Sequence, residues 1–117
     1  MTTVKIKRAY EPPEKADGFR ILVDRLWPRG IKKEELQYNV WLKDIAPTAE
    51  LRKWFGHKPE KWEGFKERYM NELKRSAAKE ELINLCKQHK RITLVYSAKD
   101  EEHNQAAVIK AFIEQGL

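Results

Sequence analysis

Phe19-Arg20-Ile21-Leu22-Val23 constrains the fold more than any other stretch of this sequence. It reads as a β-strand, short and mostly aliphatic, introduced by the turn pair Asp17-Gly18. Its apolar run is nearly continuous instead of alternating, which predicts burial on both faces. Such a strand needs other elements layered around it, so the rest of the chain must supply them.

The other segments fit that requirement. Thr3–Tyr10 alternates with period two and reads as a strand with one solvated face, ended by Pro12-Pro13. Arg91–Tyr96 is the clearest strand, and Asn39–Ile45 is a weaker third candidate. A short helix is expected around Lys32–Leu36. Thr48 is a suitable N-cap for a helix carrying Leu51, Trp54 and Phe55, and Gly56 a suitable end for it. Pro59 suits the first turn of the next helix, where Trp62, Phe65, Tyr69 and Leu73 form an apolar stripe. Two more helices are expected, over Lys79–Gln88 with Leu82, Leu85 and Cys86 inward, and over Glu101–Gln115 with Val108, Ile109, Phe112 and Ile113 inward. Strands interleaved with helices predict an α/β fold: a small, mostly parallel sheet of about four strands with helices on its faces. No repeat or flexible linker divides the chain, and 117 residues fit one domain spanning 1–117.

Composition narrows the setting. With 41% apolar and 10% aromatic residues the chain is not of disordered type. A chain of this size buries roughly two-thirds of its unfolded surface, so neither a disulfide nor a metal staple is required. Cys86 is the only cysteine, which excludes an internal disulfide and fits a reducing cytoplasm. The N-terminus lacks the apolar core of a signal peptide, and no apolar run approaches a membrane span. The net charge of +6 favours anionic partners. The basic residues are dispersed, with Lys32-Lys33 and Lys90-Arg91 only as pairs, so a solvated surface competes with a nucleic-acid footprint.

In open parallel sheets, ligands bind beyond the carboxyl ends of the strands. Two polar loops should therefore meet there, Asp24–Arg29 and Tyr96–Asn104. In the first loop, Arg25 and Arg29 are candidates to clamp an anion through their planar forks, and Trp27 to stack on a ligand. Asp24 is a candidate for proton transfer. The competing reading is an internal Asp–Arg bridge and a packed tryptophan. In the second loop, Asp100 is placed to cap the last helix, Lys99 and Asn104 could hold a ligand, and His103 lies away from the apolar stripe. His57 sits in a tight loop between helices and is either a surface histidine or a titratable group at a pocket mouth, whereas His89 reads as solvated. Taken together, Asp24, His57 and His103 are the candidate catalytic groups, and Arg25, Trp27, Arg29, Lys99, Asp100 and Asn104 the candidate ligand-binding groups. No paired-cysteine or HExxH spacing points to a metal, and no GxGxxG or Walker loop points to a nucleotide cofactor, so none is expected. Cys86 faces inward on its helix and reads as an inert thiol.

Three motifs carry a resemblance: Val23-Asp24-Arg25-Leu26-Trp27-Pro28-Arg29-Gly30, Trp54-Phe55-Gly56-His57 and Tyr96-Ser97-Ala98-Lys99-Asp100-Glu101-Glu102-His103-Asn104. Together, in this order and along essentially the whole chain, they resemble the YeaO-like family of bacterial proteins, a domain of unknown function (family 488). The resemblance implies a compact α/β fold in a single-domain cytosolic protein and assigns no activity. From the residues themselves, three functions are open. The leading expectation is a domain that binds, or acts on, a small anionic molecule. A nucleic-acid-binding module using basic and aromatic residues, and a protein-interaction module, are the alternatives.

Overall fold

The computed structural model describes residues 2–116. Four strands form one sheet: β1 (Thr3–Arg8), β2 (Phe19–Leu22), β3 (Val40–Trp41) and β4 (Arg91–Tyr96). Their order is β1-β4-β2-β3, and every neighbouring pair is parallel. β4 is therefore central, with Leu94 opposite Ile6 on one side and Ile21 on the other. Four helices complete the fold: α1 (Ala49–Phe55), α2 (Trp62–Arg75), α3 (Lys79–Gln88) and α4 (Gln105–Glu114). Among the described residues, no helix is long and apolar enough to cross a membrane.

Both faces of β2 are covered, as its composition requires: Ile21, Leu22 and Val23 are each 0% exposed. The two covers differ. The helices pack together against one face, where Phe65, Tyr69, Leu82, Ile109 and Phe112 share a core with Ile21, Ile92 and Leu94. The other face carries Leu22 and Val95, covered by Leu36, Trp27, Ile31 and Trp41 from the stretch that follows β2. That stretch contains turns and no helix. Lys32 N–H donates to the Glu35 side chain and Glu35 N–H to the Lys32 carbonyl, which closes the chain where a helix over 32–36 was expected.

The amino end of the same face is polar. Asp17 is enclosed by Lys5 at 2.8 Å, Lys7 at 3.1 Å and Arg20 at 2.5 Å. Its carbonyl accepts from Thr93 Oγ1 at 2.7 Å, tying the turn before β2 to the central strand.

The helix ends mostly follow their sequence signals. Thr48 Oγ1 accepts from Leu51 N–H, and Gly56 closes α1 in the left-handed region at φ 54°. Pro59 opens a 3₁₀ turn (Pro59–Lys61) that leads into α2. The third strand is shorter than expected, because Lys43–Ile45 turns into a 3₁₀ segment after Trp41. The last helix begins at Gln105, not Glu101. Asp100 Oδ1 accepts from both Glu102 and His103 N–H, closing a separate turn, and Asn104 is the extended N-cap residue. Asp100 therefore caps that turn, while Asn104 caps the helix. Cys86 is buried, and burial pushes its thiol up, in keeping with an inert group. His89 stacks on Phe19 at 3.8 Å and is half-buried, not fully solvated.

Candidate functional site

Parallel pairing sends the carboxyl ends of all four strands to one rim, where β2 and β4 are neighbours. After β2 the chain heads for β3. After β4 it enters α4, which lies against β1 and β4. The two paths diverge between adjacent strands, and open sheets leave a crevice at such a point.

The outer strands brace the two loops that leave this rim. At the end of β1, Arg8 Nε donates to the Ala98 carbonyl at 2.9 Å, and its guanidinium lies 4.8 Å from the centre of the Tyr10 ring. At the end of β3, Trp41 Nε1 donates to the Asp24 carbonyl at 2.7 Å. Tyr10 Oη donates to the Arg29 carbonyl at 2.9 Å. The ends of the two outer strands thus tie down both irregular segments.

Between the loops lies a cavity of about 630 Å³. That is the size of a pocket for a small organic molecule. All nine residues singled out in the sequence line it: Asp24, Arg25, Trp27, Arg29, His57, Lys99, Asp100, His103 and Asn104. Helix α1 contributes Arg52 and Phe55, α2 contributes Phe65, and Ala46 and Pro47 close the wall between β3 and α1.

The nine are differently committed. Asp24 is 6% exposed, and its Oδ1 accepts a hydrogen bond from Gln105 Nε2 across the gap between the loops. Burial raises its pKa, opposed by Ser97, Gln105 and the charge of Arg52. No ion pair joins Asp24 to Arg25 or Arg29 among the described residues, so the competing reading of an internal bridge does not hold; Oδ1 meets an amide instead, and the buried Oδ2 has no partner. Arg25 makes one long hydrogen bond, 3.4 Å to the Ala46 carbonyl, and its enclosed Nε has no partner. Trp27 is held by its own neighbours: Nε1 donates to the Ile31 carbonyl at 2.6 Å, and the ring meets Tyr38 and Trp41 edge-on.

His103 precedes α4, so it is half-buried for a reason other than helix phase. Its Nδ1 lies 3.0 Å from Asp100 Oδ2, and its ring meets Trp62 edge-on at 5.1 Å. Two backbone N–H groups, from His103 and Glu102, hold the Asp100 carboxyl below its ordinary range. A carboxylate on Nδ1 leaves Nε2 as the free nitrogen. Asn104 is consumed by structure: Oδ1 accepts from Ala107 N–H and Nδ2 donates to the Asp100 carbonyl, both at 2.9 Å. His57 follows Gly56 in the left-handed region at φ 56°, unusual for a side-chain-bearing residue, and is exposed at the rim.

Arg52 and Gln105 were absent from the sequence reading. Gln105 directly follows the Asn104 cap, and only the closeness of the two loops gives it a role. Arg52 looks like any exposed helical cation until α1 is placed near Asp24 in the loop after β2. Among the described residues, no group of three or more His, Cys, Asp and Glu side chains could hold a metal ion.

Comparison with known proteins supplies a lineage. A family model described as "Inactive DUF488-N3 subclade" matches residues 3–117. The Escherichia coli (strain K12) protein "Uncharacterized protein YeaO" is 42% identical over 106 residues, covering 91% of this chain and 92% of that one. An uncharacterized protein of Mycobacterium tuberculosis (strain ATCC 25618 / H37Rv) is 42% identical over 108 residues, covering 92% of this chain and 91% of its own. No solved structure gives a significant match.

Proposed function

This chain belongs to the inactive DUF488-N3 subclade, within the YeaO-like family, and from that premise we propose that it is a single cytoplasmic domain that binds a small anionic molecule. The pocket at the carboxyl ends of β2 and β4 is its binding site. One observation carries the reading: Arg25, Arg29, Arg52 and Lys99 line one cavity, and none is in an ion pair among the described residues. Cations left unpaired around a concave site attract an anion, and the apolar wall beside them strengthens that attraction by excluding water.

Binding is preferred to turnover on two grounds. The subclade is described as inactive. In the most enclosed acid of the site, Asp24, Oδ1 accepts from Gln105, which favours a fixed carboxylate over one that exchanges a proton with a ligand. A nucleic-acid module draws less support. Its stacking platform would need free aromatic faces, yet all four tryptophans are half-buried, Trp54 is already faced by Arg68 at 4.0 Å, and of the two exposed tyrosines Tyr10 is faced by Arg8 at 4.8 Å and Tyr38 meets Trp27 edge-on.

The test is thermal denaturation in the presence of mixed anionic metabolites, with wild type and Arg29→Ala compared. A ligand at about a hundred times its Kd adds about 2.7 kcal/mol to folded-state stability. A shift of several degrees in wild type that disappears in Arg29→Ala is the expected outcome. Wild-type melting untouched by every mixture, or a shift retained in full by the variant, counts against the site.

A further inference from the structure

We infer that the ligand of this pocket has two parts, a doubly charged anionic head and an apolar body at least one ring in size, as in an organic phosphomonoester. The inference rests on the anion-binding reading above and goes further by fixing the charge and shape of what binds.

Charge comes first. Four cations line the cavity against two carboxylates, Asp24 and Asp100, which leaves two positive charges with the histidines neutral. A single negative charge would leave one of these uncompensated. The guanidinium of Arg25 has only its long bond to the Ala46 carbonyl, so most of its donors are uncommitted. The Asp100 carboxylate accepts from the Glu102 and His103 backbone N–H groups, which spread its charge into its own turn and reduce the repulsion it presents to an arriving anion.

Shape comes second. A bare inorganic anion would occupy a small part of about 630 Å³. Part of the remaining wall is apolar: Phe55, Phe65, Ala46, Pro47 and Ala98 line it. Leu26 completes it at the rim and is 68% exposed, the most exposed large apolar side chain of the described residues. It stands between Arg25 and Trp27, where local packing gives it nothing to cover. An apolar body held under it would remove that surface from water while the head meets the cations.

Isothermal titration with four probes tests both parts: naphthyl phosphate, naphthalenesulfonate, naphthol and inorganic phosphate. At about pH 8 the phosphomonoester carries close to two negative charges and the sulfonate one. Naphthyl phosphate should bind tightest, the sulfonate about tenfold more weakly through loss of one screened charge interaction, and the other two more weakly again. Lys99→Ala should narrow the phosphate-to-sulfonate ratio. Leu26→Ser should weaken both aryl anions equally and leave that ratio intact. Both side chains are exposed and neither donates nor accepts a side-chain hydrogen bond among the described residues, so melting curves can verify that each variant is folded. Sulfonate binding as tightly as phosphate would overturn the double charge. Inorganic phosphate or naphthol matching naphthyl phosphate would overturn the two-part ligand. Failure of all four probes would overturn the anion site itself, and the inference with it.

Discussion

Asp17 and Asp24 lie at opposite ends of one strand, are both buried, and answer to opposite electrostatics. Burial pushes the Asp17 carboxyl up, but Lys5, the Glu14 N–H, Lys7 and Arg20 together outweigh it and hold the group far below its ordinary range. A depressed folded pKa stabilises the protein above the unfolded value near 4 and loses that contribution as pH falls through it. Asp17→Asn should therefore cost about 3 kcal/mol at neutral pH, because it strands Arg20 in the interior, and the deficit should narrow below about pH 4. Asp24 has the reverse sign. Its folded pKa is raised, so ionisation costs stability once pH exceeds the unfolded value, and the full cost applies above the folded one. Asp24→Asn should melt higher than wild type at neutral pH, with the advantage fading in acid below about pH 4. Parallel thermal melts at the two pH values measure both.

At the scale of elements, two positions carry most of the geometry. Gly18 has φ 65° and ψ −133°, a conformation reserved for glycine, and a Cβ there would stand 2.4 Å from the Arg91 carbonyl oxygen. Gly18→Ala should cost at least about 2 kcal/mol, seen as a lowered denaturation midpoint, since β2 can no longer start flush against β4. Asn104→Ala removes the cap of α4 and the bond to the Asp100 carbonyl, for about 1 kcal/mol. Much of this level was legible in the sequence. Thr48, Gly56 and the four-residue spacing of Phe65, Tyr69 and Leu73 act locally, and they fixed α1 and α2. The stretch 24–39 was not legible as a cover for the sheet, because Trp27, Ile31 and Leu36 follow no helical or strand period. The start of α4 was misread for a similar reason: Asp100 and Asn104 are both good caps, and only the folded loop decides which of them ends up on the helix. The candidate site emerged from one rule about parallel strands, whereas Arg52 and Gln105 required distances that no spacing encodes.

For the whole molecule, the four parallel strands explain why the candidate site gathers at one rim: every strand delivers its exit to the same side, and the helices crowd one face and leave the other to a short irregular cover. The same order has a temporal consequence. β1 pairs with β4 alone, and β2 has only a two-residue partnership with β3 until β4 arrives. A chain synthesised only as far as Lys90 owns three of the four helices and, of the sheet's pairings, only the short one between β2 and β3. It should show no cooperative melt by circular dichroism, in contrast to the full sequence. Ribosomes that stall before Arg91 would thus release a product with β1 unpaired and one edge of β2 open, bait for cellular proteases and not a half-working domain.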